Sequence, residues 1–324
     1  MQLQDYLFQQ IKERLPGSVS LSEKVAELLH ISNDSAYRRI RGETPLVLEE
    51  AKILCEAFYL SLDQLFKSQQ NSVLFVPVLL NNKDYGFDQF LKDILANLKQ
   101  VASFKDKQLI YMAKDLPIFH HFWFRPLFAF RYFFWMKSVL QHPDFESVKF
   151  KMDKLTGETE KLGKEILSVY KEIPSVEIWN SECVNSTIAQ VEYYREAGYF
   201  NREEDIAEIY DALRQTIAHV RDQAENGVKF LVNETDGLKK ENFQFYHNRV
   251  ILGDNTIMAV TDGRKTLYIN YDILNYMVTL DESFCNNVYN KLQMIMRRST
   301  IISSVSEKQR HIFFNTLSRK IPTK

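Results

Sequence analysis

The chain changes character once along its length, and that change sets what it can fold into. Residues 1–66 carry helix signals and no convincing strand, and the polar stretch KSQQNS at residues 67–72 follows as a linker. Beyond it, short apolar, β-branched runs (VLFVPVLL at 73–80, QLIYMA at 108–113, VEIW at 176–179) alternate with helical patterns over residues 87–101, 117–140, 158–171, 184–199 and 203–225. Alternating strands and helices predict a mixed body. The expectation is therefore an α+β chain of two domains: a helical bundle over residues 1–70, and a mixed α/β body rich in helix over residues 73–324. At 324 residues there is length for both.

Late in the body, FQFYHNRVIL, TIMAVT and TLYINY are separated by Gly253-Asp254-Asn255 and by Asp262-Gly263. Asp-Gly tolerates positive φ at both central positions of a tight turn. The runs predict an antiparallel β-meander over residues 243–271. Two helices close the sequence, the last introduced by Ser306-Glu-Lys-Gln309 at capping-box spacing.

Composition narrows the function classes. A formal net charge of −1 gives no global pull towards nucleic acid or an anionic membrane, so any DNA contact has to come from a local patch. Cys55, Cys183 and Cys285 are odd in number and far apart, which suits neither a disulfide framework nor a zinc site and fits a reducing cytoplasm. The first residues, MQLQDYLFQQIKERL, read as an amphipathic helix and lack the features of a signal peptide. Residues 118–136 are long enough to span a bilayer, but His120, His121, Arg125, Pro126 and Arg131 interrupt them, and a buried aromatic-rich helix is the better reading. No membrane partner is expected.

Residues 21–66 carry the functional signal. Ser20 and Glu23 have capping-box spacing, so a helix starts near Leu21 and buries Val25, Ala26 and Leu29. His30-Ile31-Ser32 form a turn. Ser32 caps a second helix over residues 33–41, with Gly42 as its stop and Pro45 beyond. On that helix Ala36 and Ile40, with Ile31, face inwards, while Asp34, Arg38 and Arg41 point away and Ser35 and Tyr37 flank them. Two short helices around a tight turn are the geometry that sets a recognition helix in the major groove. Asn33, Asp34, Tyr37 and Arg38 are the candidate base-contacting residues, Arg38 placed for a guanine and Asn33 for an adenine. Ser20, Ser22, Arg39 and Arg41 are the candidates for phosphates.

The pattern of Ala26, Leu29, Ile31-Ser32, Arg41-Gly42 and Pro45, followed by a long apolar helix ending in Leu60-Ser-Leu-Asp-Gln-Leu65, resembles the Cro/lambda-repressor-like (XRE-type) helix-turn-helix family. The resemblance covers about one fifth of the chain, without gaps from Leu21 to Phe66, and His30 stands where the family most often has glycine. It implies a five-helix bundle whose second and third helices read double-stranded DNA, in a bacterial transcription regulator. The bland reading is a small bundle, or a helix-turn-helix kept for protein contacts. Residues 1–70 hold eight Lys/Arg against ten Asp/Glu, so the unit is not basic overall, but three of the eight are Arg38, Arg39 and Arg41.

Elsewhere the signals are weaker. The aromatic segment around Trp123 and Trp135, with Arg125 and Arg131, is a candidate ligand or dimer surface, for which core or dimer packing is the simpler account. His120 and His121 are adjacent and diverge on a helix, so no metal site is expected there. Gly157-Glu-Thr-Glu-Lys-Leu-Gly163-Lys164 misses the phosphate-loop spacing and reads as a turn entering a charged helix. YYREAGYFNREEDIAEIYDAL resembles one unit of a helical repeat, but a single unit carries little. No catalytic motif and no cofactor motif is present, so no enzyme is expected. The leading expectation is a dimeric, sequence-specific DNA-binding regulator whose body senses a signal or oligomerises. The alternative is a small-molecule or peptide receptor with the helix-turn-helix as its output, and an enzyme fused to a DNA-binding head ranks last.

Overall fold

A computed structural model describes residues 3–16, 19–60, 73–78, 86–234, 241–250 and 253–323. Among these the fold is mixed α/β, with eleven α-helices and an eight-stranded mixed sheet. Internal contacts group the chain into two compact units, Met1–Val76 with Thr279–Asp281, and Pro77–Val278 with Glu282–Lys324.

The first unit contains α1 (Leu3–Arg14), α2 (Leu21–Leu29), α3 (Asn33–Ile40) and α4 (Leu48–Ala57). Leu7, Phe8, Ile11, Val25, Ala26, Ala36, Leu54, Cys55 and Leu60 form its core. The KSQQNS linker and the last part of the expected five-helix bundle, residues 61–70, lie outside the described residues. Three of these helices end the same way, with a residue in the left-handed region that lets the following N–H reach back five residues to an orphan carbonyl. His30 (φ 53°) ends α2, with Ile31 N–H donating to Ala26 O at 3.1 Å. Gly42 (φ 74°) ends α3, and Glu43 N–H donates to Arg38 O at 2.9 Å. Tyr59 (φ 51°) follows α4, and Leu60 N–H donates to Cys55 O at 2.8 Å. That third cap ends α4 at Ala57, before Leu60; the rest of the expected run, residues 61–65, lies outside the described residues. The Gln4 side-chain amide ties the α3–α4 connection to α1: it donates to Arg39 O (2.7 Å) and Thr44 O (2.8 Å) and accepts from Leu46 N–H (2.9 Å).

The sheet is built from β1 (Val76–Val78), β2 (Lys107–Ala113), β3 (Ser175–Trp179), β4 (Phe243–His247), β5 (Thr256–Thr261), β6 (Arg264–Asn270), β7 (Tyr276–Thr279) and β8 (Thr300–Ile301), in the order β1-β7-β6-β5-β2-β3-β4-β8. β2, β3 and β4 are mutually parallel, while β5 runs antiparallel to β2, β6 to β5 and β8 to β4. The hairpin at Asp262 (φ 47°) and Gly263 (φ 82°) forms as its residue types require. The expected meander does not include FQFYH. That strand is β4, which pairs with β3 and β8 across the sheet from β5, and the strand beside β6 is β7. Alternation along a strand fixes which side chains share a face, not which strand lies alongside.

Both faces of the sheet are covered. Ile110, Val176, Ile178, Met258 and Leu267 pack with Cys285 and Leu292 of α10 (Glu282–Arg297). Leu109, Tyr111, Trp179, Phe243, Phe245 and Ala259 point the other way into the main core. That core draws on α5 (Phe87–Ser103), α6 (Arg125–Phe134), α7 (Gly157–Tyr170), α8 (Asn185–Glu196), α9 (Glu203–Asn226) and α11 (Glu307–Lys320). The single helix expected over residues 117–140 is instead three pieces: a 3-10 turn at Ile118–Phe122, α6, and a π turn at Trp135–Val139. Pro126 falls in the first turn of α6, where its missing N–H costs nothing. The near-miss phosphate loop is the N-terminal half of α7: Thr156 Oγ1 caps it by accepting from Thr159 N–H at 3.1 Å, and Gly163 lies against the ring of Phe128. Ser306 precedes α11 but sits at φ 57° and makes no side-chain cap, so the expected capping box is not formed.

Candidate functional site

The α2-turn-α3 element presents one polar face. Ser32 Oγ accepts from Ser35 N–H at 3.2 Å and starts α3, while Ala36 is fully buried and Ile31 and Ile40 pack on the core of the first unit. Asn33, Asp34, Tyr37, Arg38 and Arg41 are exposed. Five of the eight sequence-predicted DNA-contacting residues therefore share the open side of α3 and its C-terminus. Ser20, at the N-terminus of α2, is exposed, and Ser22 is half-buried. Their hydroxyls hydrogen-bond each other at 3.0 Å, and Ser20 makes no side-chain cap, so the predicted capping box with Glu23 does not form.

The three arginines of this element differ in what holds them. Arg38 Nε is 3.2 Å from Asp34 and Arg41 Nε is 3.4 Å from Glu43, both pairs at the surface, where ion pairs are weak and exchangeable. Arg41 also lies over the Tyr37 ring, 5.6 Å from its centre. Arg39 is turned away. Its Nε and one terminal nitrogen grip Glu50 at 2.9 and 2.7 Å, in a bidentate clamp from α3 to α4 with both side chains only 17% exposed. The hydrogen bond to Arg39 holds the Glu50 carboxyl below its ordinary range and raises Arg39, and Glu50 also accepts from Val47 N–H at the start of α4. Arg39 is thus spent on packing and corrects the expectation of a phosphate contact.

The second unit contains a cavity of ≈ 390 Å³. It lies between α5, β2, β5, β6 and the α6–π segment, with Phe90, Leu98, Tyr111, Phe119 and Tyr268 among the residues lining it. Three polar side chains line it without full hydrogen bonding. Neither ring nitrogen of His121 completes a hydrogen bond, although the carbonyls of Ile118 and Pro117 approach it. The Trp135 indole N–H and Arg131 Nε are likewise unpartnered. All three residues are more than nine-tenths buried. Arg131 donates one terminal N–H to Gln190 Oε1 and lies over the rings of Phe134 and Trp135, 5.4 and 5.1 Å from their centres. Burial lowers Arg131 to about 10, against the pull of Asp115, so it stays cationic at neutral pH. Burial, together with the charge of Arg131, drives His121 well below its ordinary value.

Of the four residues the sequence grouped as a ligand or dimer surface, Arg131 and Trp135 meet in this cavity and Arg125 and Trp123 do not. Arg125 pairs with Glu160 at 3.1 Å, partly exposed. Trp123 N–H donates to His120 Nδ1 at 3.0 Å, which leaves His120 Nε2 to donate to Glu177, 2.9 Å away. Glu177, fully buried on β3, also accepts from Trp179 Nε1 at 2.8 Å and from the Tyr170 hydroxyl. Burial opposes its charge, but His120, Tyr170 and Lys229 outweigh burial and hold the carboxyl below its usual range. Lys229 Nζ donates to Tyr170 O, Ile173 O and Ser175 Oγ at 2.5–2.6 Å and sits 3.7 Å from the centre of the Tyr170 ring. Sequence reading missed this network. Its one signal was Glu177 itself, an acid inside the run VEIW on the side of β3 shared with Trp179.

Among the described residues, no group of three or more His, Cys, Asp or Glu side chains is placed to hold a metal, and no helix is long and apolar enough to cross a membrane. The three cysteines are buried and unbridged. No protein-family model, no curated protein and no solved structure matches the chain.

Proposed function

We propose that the chain is a sequence-specific DNA-binding transcription regulator, whose α2-turn-α3 element docks as a pair of heads on a two-fold symmetric site. The observation that supports this reading is the division of α3: Ala36 is buried, while Asn33, Asp34, Tyr37 and Arg38 are exposed side by side beyond the His30–Ser32 turn. In such an arrangement Arg38 exchanges its Asp34 partner for a guanine edge, Asn33 reads an adenine, and Arg41, Ser20 and Ser22 meet phosphates. Two heads are proposed because one small reading helix gives limited affinity. Selection from random duplexes with the full chain tests the reading, with an enriched inverted repeat as the expected outcome. Failure to enrich any sequence counts against it.

A second reading concerns the larger unit, which we take as a small-molecule receptor controlling the DNA-binding unit. One observation favours it over a purely structural body: the cavity whose buried Trp135 N–H and Arg131 Nε lack hydrogen-bond partners. Buried polar groups are nearly always satisfied, and a ligand would complete these.

A further inference from the structure

The receptor reading leaves open what the cavity takes, and its polar end narrows the choice. Arg131 is 6% exposed and has no carboxylate within ion-pair distance among the described residues, although buried charges are ordinarily paired. The neighbouring unspent donor is the Trp135 N–H, on the turn where the helix widens into a π turn and Leu140 N–H reaches Trp135 O at 2.8 Å. Such turns recur at functional sites because they re-aim side chains. His121 shares the cavity and stacks edge-on to Trp135, 5.7 Å between ring centres. A guanidinium edge and an indole N–H together suit a planar, singly charged oxyanion. Around them the wall is aromatic and aliphatic, from Phe90, Leu98, Tyr111 and Phe119.

We propose that this cavity binds a monocarboxylic acid with an apolar body, its carboxylate held by Arg131 and the Trp135 N–H and its body lying along the β2 side of the cavity. A dianion such as a phosphate monoester fits less well, because Lys114, the other cation lining the cavity, is paired with Asp254, and Asp115, which also lines it, already offsets part of the Arg131 charge. The 390 Å³ volume lies within the range of small-molecule sites and accommodates a medium-chain or fused-ring acid.

The inference rests on the receptor reading, and calorimetry on the full chain without DNA separates the two. The probes are decanoate with its neutral counterpart decanol, and naphthylacetate with naphthylacetamide. We expect one of the acids to bind at least about tenfold more tightly than its neutral partner, since charge-assisted hydrogen bonds are stronger than neutral ones. Arg131→Met is expected to remove that preference, bringing acid affinity down to that of the neutral probe. Trp135→Phe keeps a six-membered aromatic ring, removes the N–H with the five-membered ring, and lowers acid affinity relative to the neutral probe's by a smaller factor. It carries the test if Arg131→Met does not fold. Equal binding of acid and neutral probe, or acid binding indifferent to both substitutions, overturns the carboxylate assignment and leaves the receptor reading standing. If none of the four probes binds, both are overturned.

Discussion

His120 Nε2 lies 2.9 Å from a carboxylate oxygen of Glu177, and neither side chain has any exposed surface. Glu177 also serves Trp179 and Tyr170, so one carboxylate accepts from three donors at the centre of β3. Replacing it with glutamine keeps the shape, but puts an amide N–H where a donor already points. Glu177→Gln should lower the unfolding free energy by about 3–5 kcal/mol, the cost of breaking a buried charge network from one side. Urea unfolding followed by circular dichroism measures it, and a loss under about 1 kcal/mol would show that the network contributes little. Because the Glu177 carboxyl is held low, its contribution is present above the unfolded carboxyl value and is lost as pH falls through the folded one.

His219, packed edge-on between Trp123 and Phe230, is lowered by burial to about 4. The fold refuses a proton that the unfolded chain takes up near pH 6.5, so stability falls as pH drops from 6.5 to about 4 and levels off below that. The two-and-a-half-unit difference corresponds to roughly 3 kcal/mol. His121 acts in the same direction, so a single variant removes only one share. His219→Gln should flatten the pH dependence of the urea midpoint between pH 7 and 4.5, and an unchanged slope would contradict the assignment.

Gly163 gives a test in which propensity and packing oppose each other. Alanine is the better helix former by about 1 kcal/mol. A Cβ at Gly163 would come within 2.7 Å of Phe128 Cε1, and Phe128 is itself fixed in the core at 1% exposure. Overpacking of about 1–3 kcal/mol should win. Gly163→Ala is therefore expected to lower the melting temperature, and a stabilised variant would mean that α7 and α6 can separate freely.

His30 holds a left-handed conformation at an exposed helix end, with φ 53°. A side chain there costs about 1–2 kcal/mol relative to glycine, partly offset by glycine's greater freedom when unfolded. His30→Gly should stabilise the first unit by about 0.5–1 kcal/mol and leave DNA affinity unchanged. A destabilised variant would show that the imidazole contributes more than its backbone strain costs.

What was legible in the sequence was mostly local. Ser32 three residues before Ser35, Gly42 just beyond α3 and Asp262-Gly263 between two alternating runs each specify a turn or cap from neighbouring residues alone. The rest depends on distant partners. Arg38 and Arg39 are adjacent and chemically identical, yet one is exposed and the other clamped, because Glu50 arrives from eleven residues away. FQFYH alternates in the same way whichever strand it joins, so its place beside β3 was not readable. The cavity was half visible: the aromatic segment with Arg131 and Trp135 was singled out, but Gln190, Asp115 and Tyr111 reach it only through the sheet and α8.

The central claim, that the exposed face of α3 reads DNA, is tested most directly by gel shift on a duplex selected by the full chain. Wild type, Arg38→Ala and Arg41→Ala are compared at two salt concentrations. Arg38→Ala should cost about 1–3 kcal/mol in affinity and relax the preference at one base position in each half-site. Arg41→Ala should weaken all sequences alike and reduce the salt slope by about one for each head. Unchanged affinity in both variants, with their folds intact by circular dichroism, would contradict the account.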